Sequence, residues 1–126
     1  MIKVLVAEDD AFLSKAYAAK LKKEKFEVIL ASDGDEVLSK IKAESPDIVL
    51  LDIVMPKKNG FDVLYEIKQS QKTKEIPVVI LSNLGQDEDI KRGKDLGADD
   101  YLIKSNIAIG DIVSKIKQVM SAKKLK

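Results

Sequence analysis

Residues 46–60 read P-D-I-V-L-L-D-I-V-M-P-K-K-N-G. The run at 47–51 is short and almost continuously apolar, which predicts a strand buried on both faces, as in a parallel sheet. Pro46 stands just before it, where a missing N–H costs little, and Asp52 ends it. Met55-Pro56 and Gly60 mark a turn, after which Val63, Leu64 and Ile67 repeat at helical spacing. Strand, acid, turn and helix in this order form one half of a βαβ unit.

The same rhythm extends in both directions. Further apolar runs lie at 2–7 (I-K-V-L-V-A), 26–31 (F-E-V-I-L-A), 77–81 (P-V-V-I-L) and 100–103 (D-Y-L-I). Leu13, Ala16, Tyr17 and Leu21, then Val37, Leu38 and Ile41, fall at helical intervals between them. Ile109, Ile112, Val113, Ile116, Val119 and Met120 give the last stretch an apolar face. The segment near 86–97 offers a core mainly Ile90 and Leu96, so it is expected to be the least firmly packed helix. Gly34, Gly60 and Gly97 fall in connections or near helix ends, where φ above zero is useful. Repeated strand–helix alternation predicts right-handed crossovers and an α/β fold, a doubly wound five-stranded parallel sheet with helices on both faces. We expect a single domain over 1–126, with a core over about 2–122 and a frayed, Lys-rich helix end at Ala122-Lys123-Lys124-Leu125-Lys126.

Composition removes whole classes of chemistry. None of the 126 residues is Cys or His, which excludes disulfides, thiolate catalysis, imidazole bases and the usual zinc ligands. The 22 basic and 21 acidic residues nearly cancel, and only Arg92 is arginine. Neither direct nucleic-acid binding nor attraction to an anionic membrane is therefore expected. The N-terminal run reaches acid at Glu8, too early for a signal peptide, and no apolar run approaches the roughly 20 residues of a membrane span. A cytoplasmic protein is the expectation. Carboxylate, hydroxyl and lysine chemistry remain.

In an open α/β sheet, ligands bind at the carboxyl ends of the strands, near the point where strand order reverses. The first run ends in Glu8-Asp9-Asp10, the third in Asp52, the fourth in Ser82 and the fifth in Lys104. Each has a plain structural reading by itself: Asp10 as a helix N-cap, Asp52 as turn chemistry, Ser82 as a cap, Lys104 as a lysine whose stem packs on apolar surface. Asp33, followed by Gly34 and Asp35, reads as a turn and N-cap after the second run. Independent caps need not put acid, acid, hydroxyl and lysine on one edge, and the joint pattern favours a site. Clustered carboxylates repel, and one takes up a proton unless a cation intervenes. Oxygen-only ligands point to a hard cation, Mg²⁺ or else Mn²⁺. With a lysine and a hydroxyl opposite, such a site is suited to bring a phosphoryl group to Asp52 as nucleophile.

Taken together, V-L-V-A-E-D-D (4–10), the 46–60 stretch, V-V-I-L-S (78–82) and G-A-D-D-Y-L-I-K (97–104) form an ordered set at characteristic intervals. The chain thereby resembles the receiver domain of bacterial two-component response regulators over roughly residues 2–122. The resemblance implies a flavodoxin-like sheet of order 2-1-3-4-5 with five helices. It also implies a stand-alone receiver of the chemotaxis-regulator kind or one excised from a longer regulator. Asp52 would be the phosphoacceptor, charged by a sensor histidine kinase or phosphotransfer protein. Asp9, Asp52 and the backbone carbonyl of Val54 would hold Mg²⁺ directly, with Glu8 acting through water. Lys104 would pair with carboxylate or phosphoryl oxygens, Ser82 would hydrogen-bond the phosphoryl group, and Tyr101 would change rotamer as the loop after Ser82 moves. A downstream protein target, or an output domain, would read the face made by the fourth helix, fifth strand and fifth helix. Catalysis would be limited to the protein's own phosphorylation and dephosphorylation.

Two residues depart from the family pattern. Ser105 follows the lysine where receivers usually carry a cis-proline. A cis bond before a non-proline costs about 2.5–4 kcal/mol, so a trans bond is predicted. Asn83 stands where a small Ala or Gly is usual, and its bulk, with apolar Val54, is expected to slow loss of the phosphoryl group. Two other readings of the architecture fit less well. A flavodoxin-type carrier needs an anion-binding loop after the first strand, where Glu8-Asp9-Asp10 would repel a flavin phosphate. An aspartyl phosphatase would want a second acid where Val54 stands. A phosphorylation-independent interaction module on a receiver scaffold is the alternative that stays open.

Overall fold

The computed structural model describes residues 1–124. Its elements run β1 (Lys3–Ala7), α1 (Ala11–Lys23), β2 (Glu27–Ala31), α2 (Gly34–Glu44), β3 (Ile48–Leu51), α3 (Gly60–Gln69), β4 (Val78–Ser82), α4 (Asp87–Asp95), β5 (Asp100–Ile103) and α5 (Ile109–Lys124). A short 3-10 turn at Lys104–Asn106 precedes α5. All five strands pair in parallel, in the order β2-β1-β3-β4-β5. The order reverses between β1 and β3, so the carboxyl ends of these two strands flank the crevice.

Alternation along the strands builds two cores, one on each face of the sheet. On one face, Leu5, Ala7, Val49, Leu51, Val78 and Ile80 pack with Val37 and Ile41 of α2 and Val63, Leu64 and Ile67 of α3. On the other, Val4, Val6, Ile48, Leu50, Val79 and Leu81 pack with Tyr17 and Leu21 of α1 and Ile112, Val113 and Ile116 of α5. The apolar runs predict burial on both faces, and β3 and β4 are buried throughout, as is β1 beyond Lys3. The edge strands differ: Val28, Ile29 and Leu30 of β2 and Leu102 and Ile103 of β5 are half-buried. An edge strand has a neighbour on one side only, which leaves part of its run uncovered.

Local chemistry sets the helix starts. Asp10 caps α1, accepting from the N–H groups of Phe12 at 2.9 Å and Leu13 at 3.1 Å. Asp33 caps α2 through the Glu36 N–H at 2.8 Å, while Glu36 accepts from the Ser32 N–H at 2.6 Å. Asn59 caps α3. The Gln86 side chain makes no cap bond at the start of α4, and Gly93 is the one buried residue of that helix. It is indeed the least embedded of the helices.

Of the three glycines flagged in the sequence, only Gly97 has a positive φ, +108°. Gly34 and Gly60 are there for close approach instead. A Cβ on Gly34 would lie 2.2 Å from the Lys58 carbonyl oxygen, and one on Gly60 would lie 2.3 Å from that of Asp52. The loop after β3 is thus clasped between the starts of α2 and α3. α5 continues through Lys124, and Leu125 and Lys126 of the expected frayed tail lie outside the described residues. Among the described residues, no helix is long and apolar enough to cross a membrane.

Candidate functional site

The parallel ladder runs one residue past β1 and β3 and so delivers the acids. The Glu8 N–H donates to the Ala31 carbonyl at 3.0 Å, and the Asp52 N–H donates to the Ala7 carbonyl at 3.1 Å. Strand alternation then turns Glu8 inward and Asp9 outward. Glu8 and Asp52 are 3% and 5% exposed, whereas Asp9 faces solvent.

Lys104, at the end of β5, reaches across the edge and joins the two buried acids. Its Nζ lies 2.5 Å from Glu8 Oε1 and 2.7 Å from Asp52 Oδ2. The other oxygens are bonded too. Glu8 Oε2 accepts from the Asp10 N–H at 3.1 Å, and Asp52 Oδ1 accepts from the Ile53 N–H at 2.7 Å and the Val54 N–H at 3.4 Å. Burial pushes the Glu8 carboxyl above its usual range, against the opposing pull of Lys104 and the Asp10 N–H. Burial also works against the Lys104 ammonium, but its hydrogen bonds to Asp52 and Glu8 outweigh that and hold its pKa above the ordinary lysine value.

One carboxylate oxygen from each of Glu8, Asp9 and Asp52 lies within 4.8 Å of the other two. Three acids face one ammonium, and every donor is oxygen. These residues fit a hard divalent cation, with Asp9 on the open side where water can complete the coordination. Val54 stands exposed in the loop beside Asp52.

Ser82 and Tyr101 are both bonded to the backbone of Leu84, through the two peptide groups on either side of its Cα. Ser82 Oγ accepts from the Leu84 N–H at 3.3 Å, and the Tyr101 hydroxyl donates to the Leu84 carbonyl at 2.5 Å. The Ser82 proton stays available for another acceptor. The Tyr101 ring is buried between β4 and α4, and burial, with the charges of Asp89 and Asp52, pushes its phenol up to about 12. Asn83 does not stand free over the site, since its Oδ1 accepts the Ser105 N–H at 3.1 Å. The Lys104–Ser105 bond is trans, as predicted, and no peptide among the described residues is cis.

Sequence reasoning missed Tyr17. It is buried under the site from α1, where burial first, and then the charges of Glu8, Asp52 and Asp10, raise its phenol above the usual value. Its place on the apolar stripe of α1 carried no signal beyond packing.

The pattern of the response regulator receiver domain matches residues 4–117. The chain belongs to that family. This receiver is 41% identical over 102 residues to "Probable transcriptional regulator ycf27" of Guillardia theta. It is 38% identical over 120 residues to "Transcriptional regulatory protein CpxR" of Escherichia coli (strain K12). These alignments cover 81% and 95% of the receiver but 39% and 50% of the two relatives, so it spans half their length or less. Among solved structures, the receiver domain of the Francisella response regulator 1452 matches with a TM-score of 0.89 at 29% identity, over 97% of this chain and 98% of that one. The BeF3-activated N-terminal receiver domain of Klebsiella pneumoniae RstA matches with a TM-score of 0.86 at 28% identity, over 94% and 97%.

Proposed function

We propose that this receiver is the phosphoacceptor switch of a two-component system, with Asp52 as acceptor and Mg²⁺ required. The observation that carries the reading is the buried Lys104 ammonium bonded at once to Glu8 and Asp52, beside the exposed carboxylate of Asp9. In the transfer, a carboxylate oxygen of Asp52 attacks phosphorus. The bond from phosphorus to the donor breaks, and its electron pair leaves with the donor, a phosphohistidine of a kinase or phosphotransfer protein. Lys104 exchanges its carboxylate partners for a phosphoryl oxygen, and the Ser82 hydroxyl donates to another. Asp9, Asp52 and the Val54 carbonyl would hold Mg²⁺, with Glu8 acting through water. When bound, the ion supplies neutralisation of the phosphoryl charge.

Engaging Ser82 disturbs its bond to the Leu84 N–H, and Tyr101 holds the carbonyl of that same residue. The change then spreads to α4, β5 and α5, the face offered to a downstream protein or attached output domain. Relatives named as transcriptional regulators support an output of that kind, and we place the receiver's action in the cytoplasm. The receiver itself turns over nothing but its own aspartyl phosphate.

Intact mass after incubation with acetyl phosphate tests the reading. The parent is expected to gain one phosphoryl group with Mg²⁺ present and none after chelation, and Asp52→Asn is expected to gain none. A folded parent with neither an adduct nor a Mg²⁺-dependent response to beryllofluoride would instead be a phosphorylation-independent interaction module.

A further inference from the structure

The two residues that break the family pattern touch each other. Asn83 follows Ser82 and Ser105 follows Lys104, while Ser82 and Ile103 are register partners in the β4–β5 ladder. The Asn83–Ser105 bond therefore lies just beyond the sheet. It joins the chain leaving the site's hydroxyl to the chain leaving its ammonium. A proline at 105 would have no N–H to give, and an alanine at 83 would have no side-chain oxygen to receive one. Each departure supplies what the other needs. Both residues are exposed, so the value of the bond lies in position more than in stability.

We infer that Asn83 is a positioning residue of the phosphoryl site: held by the Ser105 N–H, it ties the Ser82 loop to the Lys104 turn and prolongs the life of the aspartyl phosphate. This rests on the receiver reading. In the loss step, a water oxygen attacks phosphorus as the bond to the Asp52 oxygen breaks. The electron pair stays on the Asp52 carboxylate, a proton of the water passes to solvent, and inorganic phosphate departs. Asp52 is buried and bonded to Lys104, so an attacking water comes from the opposite, solvent side, where the chains leaving Ser82 and Lys104 would border its path. Loops that move independently open that approach more often than loops that are tied.

The test follows decay of the phosphorylated receiver by intact mass, with hydrogen exchange of the Ser105 amide recorded on the unphosphorylated protein. Asn83→Leu keeps the bulk and drops the acceptor, and Ser105→Pro keeps the carboxamide and drops the donor. Each is expected to shorten the half-life about threefold to tenfold, the worth of one hydrogen bond, and the double variant no further than either alone. Ser105 exchange should quicken in Asn83→Leu and stay slow in Asn83→Asp, which retains an acceptor. Should Ser105→Pro not fold, Asn83→Leu and the exchange readout carry the test. A parent-like half-life in Asn83→Leu, or losses that multiply in the double variant, would overturn the tie. So would fast decay in Asn83→Ala with parent-like decay in Asn83→Leu and Ser105→Pro, which assigns the effect to bulk. A parent that takes up no phosphoryl group while Ser105 exchange stays slow sinks the receiver reading and the tie's role, leaving only the bond.

Discussion

A single methyl group on Gly60 would lie 2.3 Å from the Asp52 carbonyl oxygen and 2.7 Å from Ile53 Cα. Both are backbone atoms that cannot step aside, so α3 would have to retreat from the loop that carries Asp52. Gly60→Ala is expected to cost about 1–3 kcal/mol in urea unfolding, the range for overpacking, and to slow phosphorylation as well. The sequence marks Gly60 as a turn residue, but its reason for being glycine is a neighbour that only the folded chain supplies. The four charged site residues were easier to read. Glu8, Asp9, Asp52 and Lys104 are placed by where a strand ends, and strand ends follow from local apolarity. Asn83 and Ser105 were visible only as two separate departures, because their bond depends on how β4 and β5 pair.

At the scale of elements, α4 is the informative one. Its composition foretold weak packing: Ile90 is only partly buried against the core, Gly93 is its one buried residue, and the Arg92 guanidinium lies 4.3 Å from the centre of the Phe61 ring. Gly93 also makes room for Tyr101: a Cβ there would lie 2.6 Å from Ile80 Cδ1 and 2.9 Å from Tyr101 Cδ2. Gly93→Ala is expected to turn the Tyr101 ring outward, and the phenolate absorbance titration reads this directly. The Tyr101 phenol, raised to about 12 by burial and nearby acids, should fall back towards the ordinary value near 10. The sign for stability follows. A raised folded-state value means a contribution that is full below about pH 10 and lost as pH climbs towards 12, so the variant should show a flatter alkaline limb. The pairing of Gly93 with Tyr101 was illegible in sequence, since the two lie on different elements and meet only through packing.

For the whole molecule, the sheet gathers one candidate site from the ends of four strands. Periodicity alone predicts strands, helices and two covered faces, but not which strand sits beside which. The order 2-1-3-4-5 came from the family resemblance, and with it the identity of the half-buried edges. A ligand that binds only this assembled edge stabilises the entire fold by linkage, by about 2.7 kcal/mol at a hundredfold excess over its Kd. Mg²⁺ is accordingly expected to raise the Tm of the parent, and Asp9→Asn, which leaves the buried Lys104 pairs intact, should lose most of that rise. Lys104 and Glu8 meet across 96 positions of chain, on strands separated in the sheet by β3 and β4. No fragment that stops short of β5 owns the ammonium that balances its acids. The capacity proposed for Asp52 thus belongs to the complete sheet and to no part of it, and a phosphorylated molecule would certify to its reader that the messenger is whole.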